Sequence, residues 1–496
     1  MGLDVQLGNN QTVRSEGDKV QTSEDPGRSA VPIAQNLPSG GACGSAQDCG
    51  QELHTEILSN VSLPGTEAGS RWDVHISDGY IHKIDRHEDQ PSRLDSIDRH
   101  GALLAPSLCH PHIHIDKAYL LAHPKYAHLQ IDKGDFQEAM ELTGKAKAQF
   151  GHDDLLERGQ RLVDESVAAG VTHMRAFVEV DAGVQSKCLE AGLQLQSRAA
   201  AVESCEIQLC AFAQLPLFSS SEGDEDGTAI RGLMQTAAST SGVAAIGSTP
   251  YVESDREKMK RNVDWMIALS IEHNLHLDFH LDYNLDPATE PLVWYVIQSL
   301  VEARWTDRTS KRTIVLGHCS RLTLFSSEMW AKLAAEIKTA LLPLSFVGLP
   351  TSDLFMMRTG ERPEVRGTLS VPDLIKEQSL NACIGVNNIG NAFTPHGSCD
   401  PLSLACQGVA LYQAGTKQDT EILYECVSTR ARAAIGFGTQ ENVGLAVTPG
   451  ARADLVLFSA ERNNWHARRS ISEAVYLYDH CQHRRVFTRG RLIEPH

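Results

Sequence analysis

The segment Pro111-His112-Ile113-His114-Ile115-Asp116-Lys117 sets two imidazoles two residues apart, just after the apolar run Ala102-Leu103-Leu104-Ala105-Pro106. Side chains alternate along an extended strand, so residues i and i+2 share a face. Two imidazoles on one face at a strand end can share a divalent metal if more ligands arrive from elsewhere in the chain. His280 and His318 are the candidates, because each closes its own short apolar run, Leu275–Phe279 and Ile314–Gly317. Gln214 follows Leu209-Cys210-Ala211-Phe212-Ala213, and Asn387 and Asn388 follow Ala382-Cys383-Ile384-Gly385-Val386. A lone histidine after a strand is ordinarily a hydrogen-bonded core or loop residue, and His173 and His276 are read that way. Gln214 is read as a substrate contact. Asp116 and Lys117 are read either as a local salt bridge under the site or as direct participants.

Such residues need a frame that brings strand ends together. Between about 105 and 440, apolar β-type runs alternate with amphipathic helical stretches. The runs are Leu103–His114, Val171–Val180, Ile207–Phe212, Val243–Ile246, Leu275–His280, Ile314–His318, Leu341–Val347 and Ala382–Val386. Helices are predicted over Leu155–Ala169, Gln185–Ser204, Asp255–Asn274 (with Ser254 as its cap), Pro291–Thr306 and Ser327–Thr339. Eight strands separated by helices are the count for an α/β chain folded as a (β/α)8 barrel, which keeps its working residues at the C-terminal strand ends. Short strands flank this region. Trp72–Ser77 and Tyr80–Ile84 meet at an Asp78-Gly79 turn, and Gly450–Phe458 and Arg485–Gly490 follow the barrel. Residues 53–104 and 441–496 are therefore expected to pair into a small discontinuous β-sandwich, with the 105–440 barrel inserted in it. Residues 1–52 are poor in aromatics and rich in Gly, Ser, Gln, Asn and Asp, which predicts a disordered tail.

The bulk numbers narrow the chemistry. A formal charge of -18 over 496 residues argues against a nucleic-acid partner and suits a small-molecule substrate. The 12 cysteines form no CxxC pair and read as reduced thiols, several of them (Cys210, Cys319, Cys383) in apolar surroundings. Neither a secretion signal nor an apolar stretch of membrane-spanning length is visible, so the expected placement is cytosolic, with no membrane partner. There is no GxxxxGK[ST] phosphate loop and no GxSxG nucleophile elbow. Gly436-Phe437-Gly438 lacks the third glycine of a dinucleotide fingerprint, since position 441 is Glu. His54-Thr55-Glu56 echoes HxE but has no PCxxC partner.

With these residues assembled, the chain resembles the cytosine deaminase-like branch of the amidohydrolase superfamily. The likeness rests on Pro-His-x-His-x-Asp at 111–116, Ala-Phe-x-Gln at 211–214, His-x-Asp at 280–282 and the sixth-strand His318. It continues in Gly385-Val386-Asn387-Asn388-Ile389-Gly390-Asn391, in Pro395-His396-Gly397 and in Ala453-Asp454-Leu455-Val456, and spans about 55–496. The resemblance implies a mononuclear site in which His112, His114 and His280, with Asn387 at the fourth ligand position, hold one Zn2+ or Fe2+ that activates water. His318 would contact that water or the developing oxyanion, and Gln214 would read the edge of a planar nitrogen heterocycle. Val243–Ser248 offers no bridging Lys or Glu, which favours one metal over two. Barrels of this kind often assemble as homo-oligomers.

Two positions depart from the family pattern. The eighth-strand Asp is Asn387 here, a neutral amide that can coordinate through oxygen but cannot act as a base near pH 7. The proton-shuttling Glu three residues after the fifth-strand histidine is Tyr283, a phenol with a reference pKa of about 10. Either His318, Asp116 or Asp282 takes over as base, or the substrate needs less proton traffic. The lead expectation is a metal-dependent hydrolase acting on a non-peptide C–N bond of a small cyclic amide, amidine or N-substituted heterocycle. The alternative is a catalytically impaired relative that binds a small metabolite or serves as an assembly subunit. A lyase or isomerase on the same scaffold is a third reading.

Overall fold

The structure, a computed structural model, describes residues 56–88, 96–359, 366–439, 441, 443–459, 466–478 and 483–494. The expected tail over 1–52 and the His54-Thr55 dipeptide lie outside the described residues.

The N-terminal segment folds as β1 (Glu56–Val61), β2 (Trp72–Ser77), β3 (Tyr80–Arg86), β4 (Ser96–Asp98) and β5 (Leu103–Pro106). Eight parallel strands follow. They are β6 (Leu108–His114), β7 (Val171–Glu179), β8 (Glu206–Ala213), β9 (Val243–Ser248), β10 (His276–Leu281), β11 (Ile314–His318), β12 (Leu344–Gly348) and β13 (Ala382–Ile384). Their near-continuous apolar sequences belong to strands buried on both faces. Each pairs in parallel with the next, and Asn387 closes the ring against β6. The His114 N–H donates to Asn387 O (2.8 Å) and the Asn387 N–H to His112 O (3.0 Å). The closure therefore sets the first-strand histidines against the eighth-strand amide.

The C-terminal segment supplies β14 (Leu455–Ser459), β15 (His483–Thr488) and β16 (Arg491–Ile493). Two four-stranded sheets result, ordered β3-β2-β1-β4 and β16-β15-β14-β5. Leu58, Val74 and Ile76 from one sheet share a buried cluster with Leu104, Leu455 and Phe487 from the other. This is the sandwich expected from the two ends of the chain.

Several element boundaries differ from the sequence reading. The single run Leu103–His114 divides at Ser107. Pro106 has no N–H for a continuous ladder, and Leu103–Pro106 pairs instead with β14 before β6 enters the barrel. The helix expected over Asp255–Asn274 spans Arg256–His273, and its cap is Asp255 rather than Ser254, its carboxylate accepting from the Lys258 N–H at 2.9 Å. The Pro291–Thr306 helix breaks into Val293–Glu302 and Trp305–Arg308 at Arg304, which is left-handed (φ 51°). Ser327–Thr339 is helical as expected. A helix over Phe136–Lys147, capped by Asp135, was not anticipated, although it carries two residues that matter below.

One glycine is fixed by close packing. A Cβ on Gly247 in β9 would lie 2.5 Å from the Asp278 carbonyl oxygen and 3.0 Å from the Phe212 ring. Backbone cannot yield as a flexible side chain does. Gly247→Ala is expected to destabilise the barrel by about 1–3 kcal/mol in denaturant unfolding, and an unchanged midpoint would show that these strands can separate.

No helix among the described residues is long and apolar enough to cross a membrane. Cys210, Cys319 and Cys383 are buried thiols outside any disulfide, as expected.

Candidate metal centre and pocket

His112 and His114 end β6, His280 lies near the end of β10, and His318 ends β11. One ring nitrogen from each of His112, His114 and His280 falls within a mutual 4.8 Å, and all three residues are buried. The sequence-predicted trio is thus brought together at the C-terminal mouth of the barrel. His318 stands beside it, its ring centroid 5.1 Å from that of His280 and 6.0 Å from that of His112. Burial, reinforced by neighbouring positive charge, holds His112, His114 and His280 well below the ordinary imidazole pKa. They are therefore neutral, the form that ligates a metal.

His112 Nδ1 and Nε2, His114 Nδ1, His280 Nε2 and Asn387 Oδ1 are all buried without a hydrogen-bond partner. Buried polar atoms are ordinarily satisfied, and a cluster of unpartnered imidazoles, each offering one lone-pair nitrogen, beside an unpartnered amide oxygen fits the donor set of a metal. Asn387 is oriented for this. Its Nδ2 donates to Ser352 Oγ at 2.8 Å, and Ser352 Oγ in turn meets Thr394 Oγ1 at 2.6 Å, which leaves the amide oxygen free.

Supporting residues lie beneath and beside the cluster. Arg175 Nη1 donates to Asp278 Oδ2 at 2.8 Å, and the other Asp278 oxygen lies 4.0 Å from His112 Nδ1. Burial pushes the Asp278 carboxyl up to about 7 against the pull of Arg175. His318 Nδ1 is 2.7 Å from Asp353 Oδ1. A carboxylate there is best met by an Nδ1–H, which leaves Nε2 as an acceptor. Asp353 comes from the helix Pro350–Met356, and burial raises its pKa while His318 opposes the rise.

The remaining predicted residues divide. Gln214 and Tyr283 line a cleft over the histidines together with Lys117, Phe136, Tyr251, Asn388 and Phe393. The Tyr283 ring lies tilted over His318 with centroids 4.0 Å apart, and its hydroxyl is 3.5 Å from Ser352 O. Asp282 is not brought in. Its two oxygens accept from the Leu292 N–H (2.7 Å) and Val293 N–H (3.0 Å) at the start of the following helix, so the expectation of a catalytic role is corrected to one of capping. Asp116 does not line the cleft either; one of its oxygens accepts from the Glu179 N–H at 2.7 Å. Lys117 pairs with Glu179 at 2.6 Å rather than with Asp116, and Glu179 also binds Lys147. Burial would raise both acids. Lys117 and Lys147 outweigh it at Glu179, whose pKa falls, whereas Asp116 rises. His173 bonds Thr172 and His276 bonds Thr313, so both are core residues, as read.

Asp353, Phe136, Tyr251, Phe393 and Lys147 were missed. They come from loops and helices whose inward face depends on tertiary packing. A larger groove, about 560 Å³, lies near Arg198, Val202, Val486 and Ile493, but it contains none of the histidines.

No family model matches the chain, and no curated protein matches it in sequence. Solved structures do match in fold. A 5-methylcytosine deaminase from Klebsiella pneumoniae liganded with 5-fluorocytosine superposes with a TM-score of 0.74 at 20% identity, over 89% of this chain and 97% of that one. An N-isopropylammelide isopropylaminohydrolase from Burkholderia multivorans gives 0.68 at 20%, over 88% and 97%. A guanine deaminase from C. acetobutylicum with bound guanine gives 0.58 at 15%, over 89% and 100%.

Proposed function

We propose that this chain is a metal-dependent amidohydrolase of the cytosine deaminase-like kind, hydrolysing a C–N bond of a small cyclic amide, amidine or N-substituted heterocycle. The observation that carries the reading is the set of buried, unpartnered imidazole nitrogens beside an unpartnered amide oxygen at the barrel mouth. The shared fold of deaminases and an aminohydrolase supports it. His112, His114, His280 and Asn387 would hold one Zn2+ or Fe2+, which supplies Lewis acidity and makes water a nucleophile near neutral pH.

The protein's own groups do the rest. His318, held by Asp353, offers Nε2 to the attacking water or to the oxygen on which charge develops. The proton released by water has no carboxylate at position 387 to receive it, and Asp282 and Asp116 do not line the cleft, so His318 is the acceptor in reach. Tyr283 packs on the His318 ring and limits its motion, while Gln214 and Lys117 face the far end of the substrate. Overall, a water O–H bond and the C–N bond break, and a C–O bond and an N–H bond form.

A panel of cyclic amides, amidines and amino-substituted azines in 18O-labelled water tests this. One 18O in the product, with release of ammonia or an amine, is expected. A product of unchanged mass would point to isomerisation, and an elimination product without label to a lyase. Ring binding without turnover would favour the impaired, metabolite-binding alternative, for which Asn387 in place of a carboxylate is the supporting observation.

A further inference from the structure

The cleft over the histidines is lined by amide and ammonium groups whose orientations the surrounding hydrogen bonds fix. Lys117 Nζ lies 3.2 Å from a terminal atom of the Gln214 carboxamide. An ammonium has three donors and no lone pair, so that atom is Oε1. The Gln214 NH2 is then the end left over for the cleft that the residue lines. Lys117 itself spends one hydrogen on Glu179 and one on Gln214, which leaves the third. Glu179 is held in turn by Lys147, so the ammonium is anchored from behind.

A second chain of bonds ends in the same way. The backbone N–H groups of Phe393 and Thr394 donate to one terminal atom of Asn391 at 3.0 and 3.1 Å, which must be oxygen. The Asn391 NH2 then donates to Asn388 at 2.8 Å and to Lys117 O at 3.1 Å. The Asn388 atom it meets is therefore Oδ1, and the Asn388 NH2 is left over. Lys117, Gln214 and Asn388 all line the cleft. Each brings spare N–H donors to it, and the Gln214 and Asn388 oxygens each already accept one hydrogen bond within the protein.

We propose that the substrate is a planar ring whose edge away from the reacting carbon carries acceptors only. Such an edge is made of carbonyl or enolate oxygens and unprotonated ring nitrogens. A ring amide edge, which pairs an N–H with a C=O, sets its N–H against these donors and is left with only the second lone pair of an amide oxygen that is already engaged. A buried unpaired donor costs about 1–3 kcal/mol, or roughly 5- to 150-fold in affinity. This rests on the function proposed above for the same site and specifies its substrate class.

The test is calorimetric binding to metal-loaded protein of two rings of similar size. One is the barbiturate anion, which has an oxygen–carbon–oxygen edge free of N–H. The other is melamine, which presents amino donors on every edge. Barbiturate is expected to bind at least about 30-fold more tightly. Gln214→Glu and Asn388→Asp each replace an NH2 by an acceptor. Each is expected to weaken barbiturate about tenfold or more while the bound metal, measured by elemental analysis, is retained. Equal binding of the two rings, tighter binding of melamine, or barbiturate affinity unchanged in both metal-retaining variants would overturn the assignment. These outcomes are separate from failure of the hydrolase reading, which shows as absence of metal or of turnover whichever ring binds.

Discussion

Asn387→Asp is expected to raise both metal retention and turnover of C–N substrates. The amide occupies the place where barrel closure meets His112 and His114, and its oxygen is unpartnered while its nitrogen donates to Ser352. A carboxylate is isosteric there. The Ser352–Thr394 hydroxyl pair can reverse its donor direction so that Ser352 donates to the new oxygen, and no buried group is orphaned. Under the proposed function the other oxygen would add a charge to the ligand set and could accept a proton. General-base catalysis contributes about 10²- to 10⁴-fold. On the proposed function His318 would already supply part of that, so an increase of about 100-fold is expected in kcat. A fall in kcat with metal retained would mean that the neutral amide is itself suited to the native reaction.

The second large effect concerns His318. His318→Ala is expected to lower kcat by about 10²- to 10³-fold, because under the proposed function it removes the preorganised imidazole beside the trio that would face the developing charge. Asp353→Asn tests how that group is set. The geometry can persist, but an amide NH2 next to Nδ1 reverses the tautomer and turns Nε2 from acceptor to donor. A fall of about 10- to 100-fold in kcat with KM little changed is expected, since the loss is confined to the transition state. Metal content should stay at the wild-type level in both variants. Loss of metal would mean that His318 and Asp353 hold the ligands in place, and an unchanged kcat in both would remove His318 from the chemistry.

The parts of the site that could be read from sequence are those carried by continuous strands. His112, His114, His280 and His318 end apolar runs, and once those runs are parallel neighbours their ends must converge. Asn387 and Gln214 were reachable for the same reason. Asp353 was not, because it sits on a short helix with no periodic signal of its own, and only its 2.7 Å contact with His318 gives it meaning. Lys147 and Phe136 come from opposite ends of one helix whose inner face depends on what it packs against. Asp282 illustrates the opposite error. Its position after a strand-end histidine resembled a site residue, but the two N–H groups opening the next helix took its carboxylate. Among the elements, the break at Pro106-Ser107 was visible only as a proline within an apolar run, and the sheet that claims Leu103–Pro106 is built by residues some 350 positions later.

Elemental analysis of protein purified without chelator is the most direct test of whether the imidazole cluster is a metal centre. About one Zn or Fe per chain in the wild type, absent from a His112→Ala/His114→Ala variant that remains folded, is the result a mononuclear hydrolase requires. Wild-type protein that carries no metal and takes up none when Zn2+ or Fe2+ is added would contradict it, and would leave five buried polar atoms to be explained by a different ligand.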